Sequence, residues 1–194
     1  MSSHKQPVPL AKAYRLLNHG PVTLVSSAAN GQRNVMAASW AMPLDFDPPK
    51  VAVVIDRNTL TRELIEASGE FALNIPCRSF AGQTLALGSV SGREHDKFAE
   101  LKLATHAASQ INAPLLDGCV AWLECRMLDE PQVQQRHDLF LAEVVAAWAR
   151  PEAFSNGHWQ DTPAGQRTIH YQAGGVFFSS GELFVAPPAD MPHP

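Results

Sequence analysis

The feature that most constrains the fold is a series of short apolar segments, most of them separated by turn residues rather than by helices. Asn30-Gly31 lies between two of these segments and is a strong hairpin signal, because both residues tolerate the positive φ of a type I′ turn. No regular strand–helix–strand alternation follows, which disfavours a doubly wound parallel sheet. The pattern predicts a mainly β, antiparallel barrel of six or seven strands with short helices.

The predicted elements follow from apolar patterning and turn residues. The strands are expected over residues 22–27, 34–42, 51–55, 71–75, 119–127 and 139–148, with a last hairpin over 176–185 that turns at Ser180-Gly181. The helices are expected over 10–17, 61–69 and 79–88, and a loop that leads into a short helix over 91–103. In strand 119–127, Glu124 and Arg126 are expected on the face opposite the cysteines.

Length and charge limit the class of protein. The 194 residues suggest one domain over 1–186, followed by a proline-rich tail over 187–194. A formal net charge of −4 disfavours nucleic acid and anionic membranes as partners, and no apolar stretch is long enough to cross a bilayer. We therefore expect a cytoplasmic protein whose three cysteines are buried and reduced.

Generic catalytic motifs are absent from the sequence. There is no dinucleotide fingerprint, no P-loop and no nucleophile elbow, and the eight histidines lack metal-ligand spacing. We accordingly assign no catalytic acid or base and expect no metal site.

Two segments have the composition of a ligand site. The first, at the end of a predicted strand, is rich in small residues that let a flat ligand approach the backbone; it contains Asn34, Ala38, Ser39, Trp40 and Ala41. Tight strand packing explains the same composition. The second segment opens a predicted helix with the charge and hydroxyls of a phosphate site; it contains Arg57, Asn58, Thr59 and Thr61. Helix capping explains its threonines but not its arginine.

Five segments together resemble the flavin reductase-like, FMN-binding split-barrel family, and in particular the branch around flavoredoxin and related flavin reductases. They are PVTLV at 21–25, NVMAASW at 34–40, FDPP at 46–49, GEFALNIP at 69–76 and SGREHDKF at 91–98. The resemblance extends over residues 21–148. It implies non-covalent FMN, NAD(P)H as the reductant, and a homodimer with the flavin near the subunit interface.

The resemblance also implies roles for particular residues. Ala38, Ser39, Trp40 and Ala41 would line the isoalloxazine ring, whereas Arg57, Asn58, Thr59 and Thr61 would take the phosphate and the ribityl chain. Lys97 and Ser91 would close over the phosphate.

Three functions are consistent with this sequence. The first is an NAD(P)H-dependent flavin or ferric reductase that passes electrons to a small acceptor. The second is a flavoredoxin-like electron carrier that a partner protein reduces. The third, a pyridoxamine oxidase-like enzyme, is disfavoured because no second arginine-rich segment is present to hold its substrate.

Overall fold

The computed structural model describes residues 5–187. The strands are β1 Gln6–Pro7, β2 Thr23–Ala29, β3 Gln32–Ala38, β4 Ala41–Phe46, β5 Pro49–Val54, β6 Glu70–Pro76, β7 Thr105–His106, β8 Leu115–Leu116, β9 Cys119–Met127, β10 Leu139–Ala149, β11 Phe154–Ser155, β12 His158–Trp159, β13 Ile169–Ala173 and β14 Val176–Ser179. The α-helices are α1 Leu10–Ala13, α2 Leu60–Ser68, α3 Ala81–Ser89, α4 Lys97–Glu100 and α5 Pro131–His137. Three 3₁₀ segments cover Tyr14–Leu16, Arg78–Phe80 and Ala164–Gln166.

One large antiparallel sheet organises the chain. Its strand order is β3-β2-β6-β9-β10-β5-β4, and β1 pairs with β10. The two outermost strands, β3 and β4, are joined by only Ser39 and Trp40. Because three Cα steps span at most about 11 Å, the two edges must lie close together. The sheet is therefore curled into a barrel that is split between β3 and β4.

The predicted fold class, a mainly β antiparallel structure with short helices, is confirmed. The main sheet has eight strands rather than six or seven, because β1 adds to it. The single strand predicted over residues 34–42 is wrong. The chain leaves β3 after Ala38 and changes sheet edge before β4, so Ser39 and Trp40 lie at the split and in neither strand.

Local signals set several element boundaries. Asn30 and Gly31 have φ values of 52° and 77°, as the predicted hairpin between β2 and β3 requires. Thr59 is the N-cap of α2 and accepts a hydrogen bond from the Arg62 amide, 3.3 Å away. Gly69 ends the helix at a φ of 71°.

The last hairpin differs from the prediction. β13 pairs with β14, and the chain turns at Gly174-Gly175, where both residues have positive φ. Two successive glycines supply the backbone conformation of a tight turn, whereas Ser180-Gly181 follows the end of β14. Residues 181–187 contain neither helix nor strand, and the predicted tail beyond residue 187 lies outside the described residues.

The strand β9 is buried on both faces. Leu123 and Cys125 pack inside the barrel, while Trp122 packs against a second apolar cluster that includes Leu116 and Phe98. Glu124 lies on the face opposite Leu123 and Cys125, as expected, but this second face is not exposed to solvent. Its side chain is fully buried because the segment between α4 and β9 covers that face of the sheet.

Neutral donors surround the buried Glu124 carboxylate. Its oxygens accept hydrogen bonds from the Ser109 and Gln110 amides at 2.6–3.0 Å and from Trp148 Nε1 at 2.7 Å. Since a buried carboxylate without donors is costly, these bonds attach the covering segment to β9 and β10.

Among residues 5–187, none of the helices combines the length and apolar composition needed to cross a membrane.

Candidate functional site

Two adjoining cavities lie along β3. The first, here called the lysine cavity, has a volume of about 240 Å³ and lies between β3, the start of α2, the end of α3 and the 91–97 segment. The second, the aromatic cavity, has a volume of about 160 Å³ and lies between β3, α3 and the β13–β14 hairpin. Ala37 and Gly88 line both cavities, so together these form one groove.

The lysine cavity brings together most of the residues predicted to bind the phosphate. Its lining includes Asn34, Asn58, Thr59, Thr61, Ser91 and Lys97. Lys97 is its only charged lining residue within the described part of the chain. An anion that enters this cavity therefore meets a cation and no competing carboxylate.

Lys97 is held at the base of the lysine cavity and is only 4% exposed. Its Nζ donates to the carbonyl oxygens of Val35 at 3.0 Å and Leu87 at 2.8 Å. An ammonium group has three N–H donors, and the described residues provide no acceptor for the third. Burial lowers the pKa of Lys97 to about 8, since both partners are neutral. A phosphate would supply the missing acceptor and the opposite charge.

Two hydroxyl groups extend this set of donors. Thr61 is fully buried, and its Oγ1 accepts a hydrogen bond from Asn34 Nδ2 at 2.9 Å. The Ser91 Oγ accepts a hydrogen bond from the Arg93 amide at 3.2 Å. In each case the hydroxyl acts as an acceptor, which leaves its own proton for a ligand oxygen. The Thr59 hydroxyl proton, in contrast, is donated to the Asp56 carbonyl at 2.8 Å.

Arg93 fastens the 91–97 segment over the lysine cavity. Its guanidinium group makes two hydrogen bonds to the Glu63 carboxylate, at 2.7 Å and 3.1 Å, and one to the Asn58 carbonyl at 3.3 Å. The Arg93 charge is therefore neutralised by an acid of α2. It holds the wall of the cavity but does not line the cavity itself.

Arg57 is not brought to the lysine cavity. Its side chain is 59% exposed, and its guanidinium lies 3.4 Å from the Asp138 carboxylate. Arg62 donates to the same carboxylate at 2.6 Å, and this bond lowers the pKa of Asp138. Arg57 therefore joins an ion cluster at the C-terminus of α5. Its predicted role in binding phosphate stays a prediction.

The residues predicted to line the ring are divided by the split in the barrel. Ser39 lines the aromatic cavity, whereas Ala38 and Ala41 pack into the barrel core. Trp40 is 73% exposed, and its carbonyl accepts a hydrogen bond from the Val54 amide at 3.0 Å. Only the backbone of Ala38 and Ala41 is thus available to a ligand at this edge.

The sequence interpretation missed the opposite wall of the groove. Thr84, Leu85 and Ser89 of α3 line the aromatic cavity together with Tyr171 and Phe177 of the last hairpin. The two aromatic rings have centroids 5.2 Å apart. Small and hydroxyl residues near the end of α3 were the available signal, but only the folded structure brings them opposite β3.

The aromatic cavity is uncharged, in contrast to the lysine cavity. None of its lining residues is acidic or basic within the described chain. One end of the groove therefore suits a phosphate, and the other suits a flat, neutral ring system.

The three cysteines lie apart from the groove and are buried, as predicted. Burial raises the pKa of Cys119 and Cys125.

A groove with a buried cation at one end and an uncharged, partly aromatic lining at the other suits a phosphorylated, aromatic ligand. Comparison with known families agrees, since the family model described as a flavin reductase like domain matches residues 15–174. The chain belongs to this flavin reductase-like, FMN-binding family.

Individual relatives extend over nearly the whole chain. The uncharacterized protein YddH of Escherichia coli (strain K12) is 42% identical over 183 residues, which cover 93% of this chain and 97% of that protein. The crystal structure of an FMN-binding domain of a flavin reductases-like enzyme from Shewanella baltica has a TM-score of 0.93 and 44% identity, and covers 96% of this chain and 100% of its own. Flavoredoxin of Desulfovibrio vulgaris shares the fold, with a TM-score of 0.75 at 23% identity over 86% of this chain and 90% of its own.

Proposed function

We propose that this chain binds FMN non-covalently along the groove, with the phosphate in the lysine cavity and the isoalloxazine ring toward the aromatic cavity. The observation that carries the proposal is Lys97, a buried ammonium group with two carbonyl partners and a free third donor. The hydroxyl groups of Thr61 and Ser91 line the same cavity. The FMN-binding relative from Shewanella baltica supports the choice of ligand.

We further propose that the protein is an oxidoreductase that uses NAD(P)H and passes electrons to a small acceptor. Bound FMN would supply the redox chemistry, namely hydride acceptance and one- or two-electron transfer. The side chains of this protein would bind and orient the cofactor. Ser39 offers a polar contact at the ring end, while Leu85 and the aromatic pair exclude water. The hydroxyls of Thr84 and Ser89 donate their protons to the Phe80 and Leu85 carbonyls, so they could only accept a hydrogen bond from the ring.

A direct test uses the purified protein under anaerobic conditions. Acid should release FMN, identified against standards, and NADH or NADPH should bleach the flavin absorbance of the intact protein within seconds. If dithionite bleaches the flavin but neither nicotinamide does, the chain is instead an electron carrier reduced by a partner protein. If acid releases FAD, or if no flavin binds, the proposed ligand is wrong.

We also propose that the protein is a homodimer. Large apolar side chains occur at every second position from residue 40, just before β4, to residue 46 at its end. They are Trp40, which is 73% exposed, Met42 (54%), Leu44 (46%) and Phe46 (65%). Four large, exposed apolar side chains along an edge strand form a surface that a second copy would cover. This strip begins at the split of the barrel beside Ser39, so a dimer through β4 would place the partner near the ring end of the groove.

A further inference from the structure

A third cavity lies outside the groove, between the segment 14–19 and the β11–β12 hairpin. We call it the arginine cavity; its volume is about 370 Å³, within the range of small-molecule sites. The hairpin turns at Asn156-Gly157, where φ is 52° and 77°. This turn places His158 and Trp159 against Arg15, so residues more than 140 positions apart form the two walls.

Within residues 5–187, the cation of the arginine cavity has no acidic partner. Arg15 donates through Nη1 to the Gly157 carbonyl at 3.0 Å and through Nε to the Tyr14 hydroxyl at 3.1 Å. Its Nη1 also lies 3.3 Å from Nε2 of His158. None of these partners is a carboxylate, and no lining residue among those described is acidic.

A second cation lies at the same turn. A Cβ built on Gly157 would lie 3.4 Å from Arg15 Nη1 and 3.6 Å from Cγ and Cδ of Lys12, so the Lys12 side chain passes this turn with its methylene groups. Lys12 and Arg15 therefore flank one backbone turn, in a chain whose formal net charge is −4. Two cations and an exposed imidazole without a carboxylate form a local site for an anion.

His19 provides an independent observation at the wall of this cavity. Its Nε2 is hydrogen-bonded to Thr168 Oγ1 at 2.8 Å, whereas its Nδ1 is buried and has no partner among the described residues. Buried polar atoms are seldom left unpaired, and a ligand or an ordered water explains such an atom. Burial lowers the pKa of His19 to about 4, so the ring offers a hydrogen bond rather than a charge at neutral pH.

Aromatic rings complete the lining. Trp159 is oriented by a hydrogen bond from its Nε1 to the Arg15 carbonyl at 3.1 Å and by edge contact with His19, at a centroid distance of 5.1 Å. Tyr14 lies beside the Arg15 guanidinium, 5.6 Å from ring centroid to Cζ. Both rings are partly exposed. Aromatic side chains beside cations are the combination that stacks a nucleobase and pairs its phosphate.

We propose that the arginine cavity is an accessory nucleotide site, in which Lys12, Arg15 and His158 bind phosphate and Tyr14 or Trp159 contacts the base. The proposal does not depend on the proposed function, because the cavity shares no lining residue with the groove. The adenosine half of a dinucleotide could occupy both the phosphate and the base positions of this site. Inorganic phosphate could occupy the phosphate position alone. The experiment separates these sources.

Isothermal titration of FMN-saturated protein with ADP-ribose, inorganic phosphate and adenosine tests the site. ADP-ribose should bind more tightly than either fragment, and its affinity should fall as salt is raised. Arg15→Gln should weaken ADP-ribose binding about 10-fold or more, because a charge-assisted hydrogen bond is lost. Arg136→Gln removes the same charge from an exposed position on α5 and should leave the affinity unchanged.

Several outcomes would overturn the proposal. These are no ADP-ribose binding at millimolar concentration, phosphate binding as tightly as ADP-ribose, and an equal loss in the Arg136→Gln control. If Lys97→Met weakens ADP-ribose binding and Arg15→Gln does not, the nucleotide binds in the groove instead. If Arg15→Gln does not fold, the exposed substitutions Lys12→Gln and His158→Gln decide, and each should weaken ADP-ribose binding about 3- to 10-fold.

Discussion

Gly88 of α3 packs against Ala37 of β3 so closely that a Cβ built on Gly88 would lie 3.2 Å from the Ala37 Cβ. The two residues line both the lysine cavity and the aromatic cavity. They therefore lie at the junction of the two cavities, which a ligand that spans both must cross. Glycine is required here by space rather than by backbone conformation, since Gly88 is not among the residues with positive φ.

Gly88→Val should abolish binding of any ligand that spans the groove. The valine methyl groups would occupy the space between the two cavities, so FMN and riboflavin should both lose affinity by at least about 10-fold, or roughly 1.4 kcal/mol. Flavin fluorescence quenching measures both dissociation constants.

The matched control is Gly82→Val in the same helix. Its added Cβ meets nothing within 4 Å, and its backbone effect on the helix is the same. Equal losses for the two variants would mean that the helix, rather than the groove, was damaged, and would contradict the assignment.

Lys97→Met should weaken FMN binding selectively. The loss of one charge-assisted hydrogen bond of about 1.5–3 kcal/mol corresponds to roughly 10- to 150-fold in FMN affinity. Riboflavin, which has no phosphate, should change by less than about 3-fold. The contrast with Gly88→Val, which affects both flavins, separates the phosphate end of the groove from its middle.

Arg57→Met provides the comparison for Lys97→Met. The Arg57 guanidinium is exposed and forms an ion pair with Asp138. We therefore expect less than about a 3-fold change in FMN affinity. A large, FMN-specific loss in Arg57→Met would restore the role predicted from the sequence and would require the 56–59 segment to rearrange on binding.

Arg57 and Lys97 show where prediction from the sequence succeeds and where it fails. Strand signals and helix caps act locally, so the Asn30-Gly31 turn and α2 were predicted to within a residue or two. Whether Arg57 or Lys97 faces the lysine cavity depends on partners that are distant in the sequence. Asp138 follows α5 and attracts Arg57, while the Val35 and Leu87 carbonyls hold Lys97.

Glu124 illustrates the same limit in the fold. Alternation along β9 distinguishes its two faces, but it does not reveal that the segment between α4 and β9 covers the second one. The Gly174-Gly175 turn was missed for another reason. The chain turns at two glycines with positive φ, whereas the turn was predicted at Ser180-Gly181, six residues downstream.

FMN affinity should fall as the pH rises through about 8. The pKa of Lys97 is lowered to about 8 by burial, and only the protonated ammonium attracts the phosphate. Because one proton is then linked to binding, the dissociation constant should rise by up to about 10-fold per pH unit above that pKa. Titrations between pH 7 and 9 measure the slope. A flat profile in the wild type, or an equal slope in Lys97→Met or with riboflavin, contradicts the assignment.

The same lowered pKa predicts how Lys97 affects stability. Between about pH 8 and the ordinary value of 10.5, the unfolded chain binds this proton and the folded chain does not. The free energy of unfolding should therefore rise with pH across this window in the FMN-free protein. Urea titrations of the wild type and Lys97→Met test the difference, which should disappear in the variant.

Glu124→Gln should destabilise the protein without a specific effect on flavin. An amide has one acceptor oxygen and two donors, so at least one of the Ser109, Gln110 and Trp148 donors would lose its partner. The cost of about 1–3 kcal/mol corresponds to roughly 2–4 °C in Tm for each kcal/mol. Glu143→Gln, on the neighbouring strand β10, should leave Tm within about 2 °C of the wild type. Equal Tm values for the two variants would show that the buried network contributes little.

The apolar strip on β4 should hold two copies together. Light scattering of the wild type at micromolar concentration should give about twice the chain mass of 21.1 kDa. Leu44→Glu places a charge in the middle of the strip, where desolvation in an interface is costly, and should shift the mass to that of one chain. Gln135→Glu is the control, because it adds the same charge at an exposed position of α5 that lines neither the groove nor the strip. A wild-type mass of 21.1 kDa with FMN bound, or equal dissociation by both substitutions, would show that β4 is not the interface.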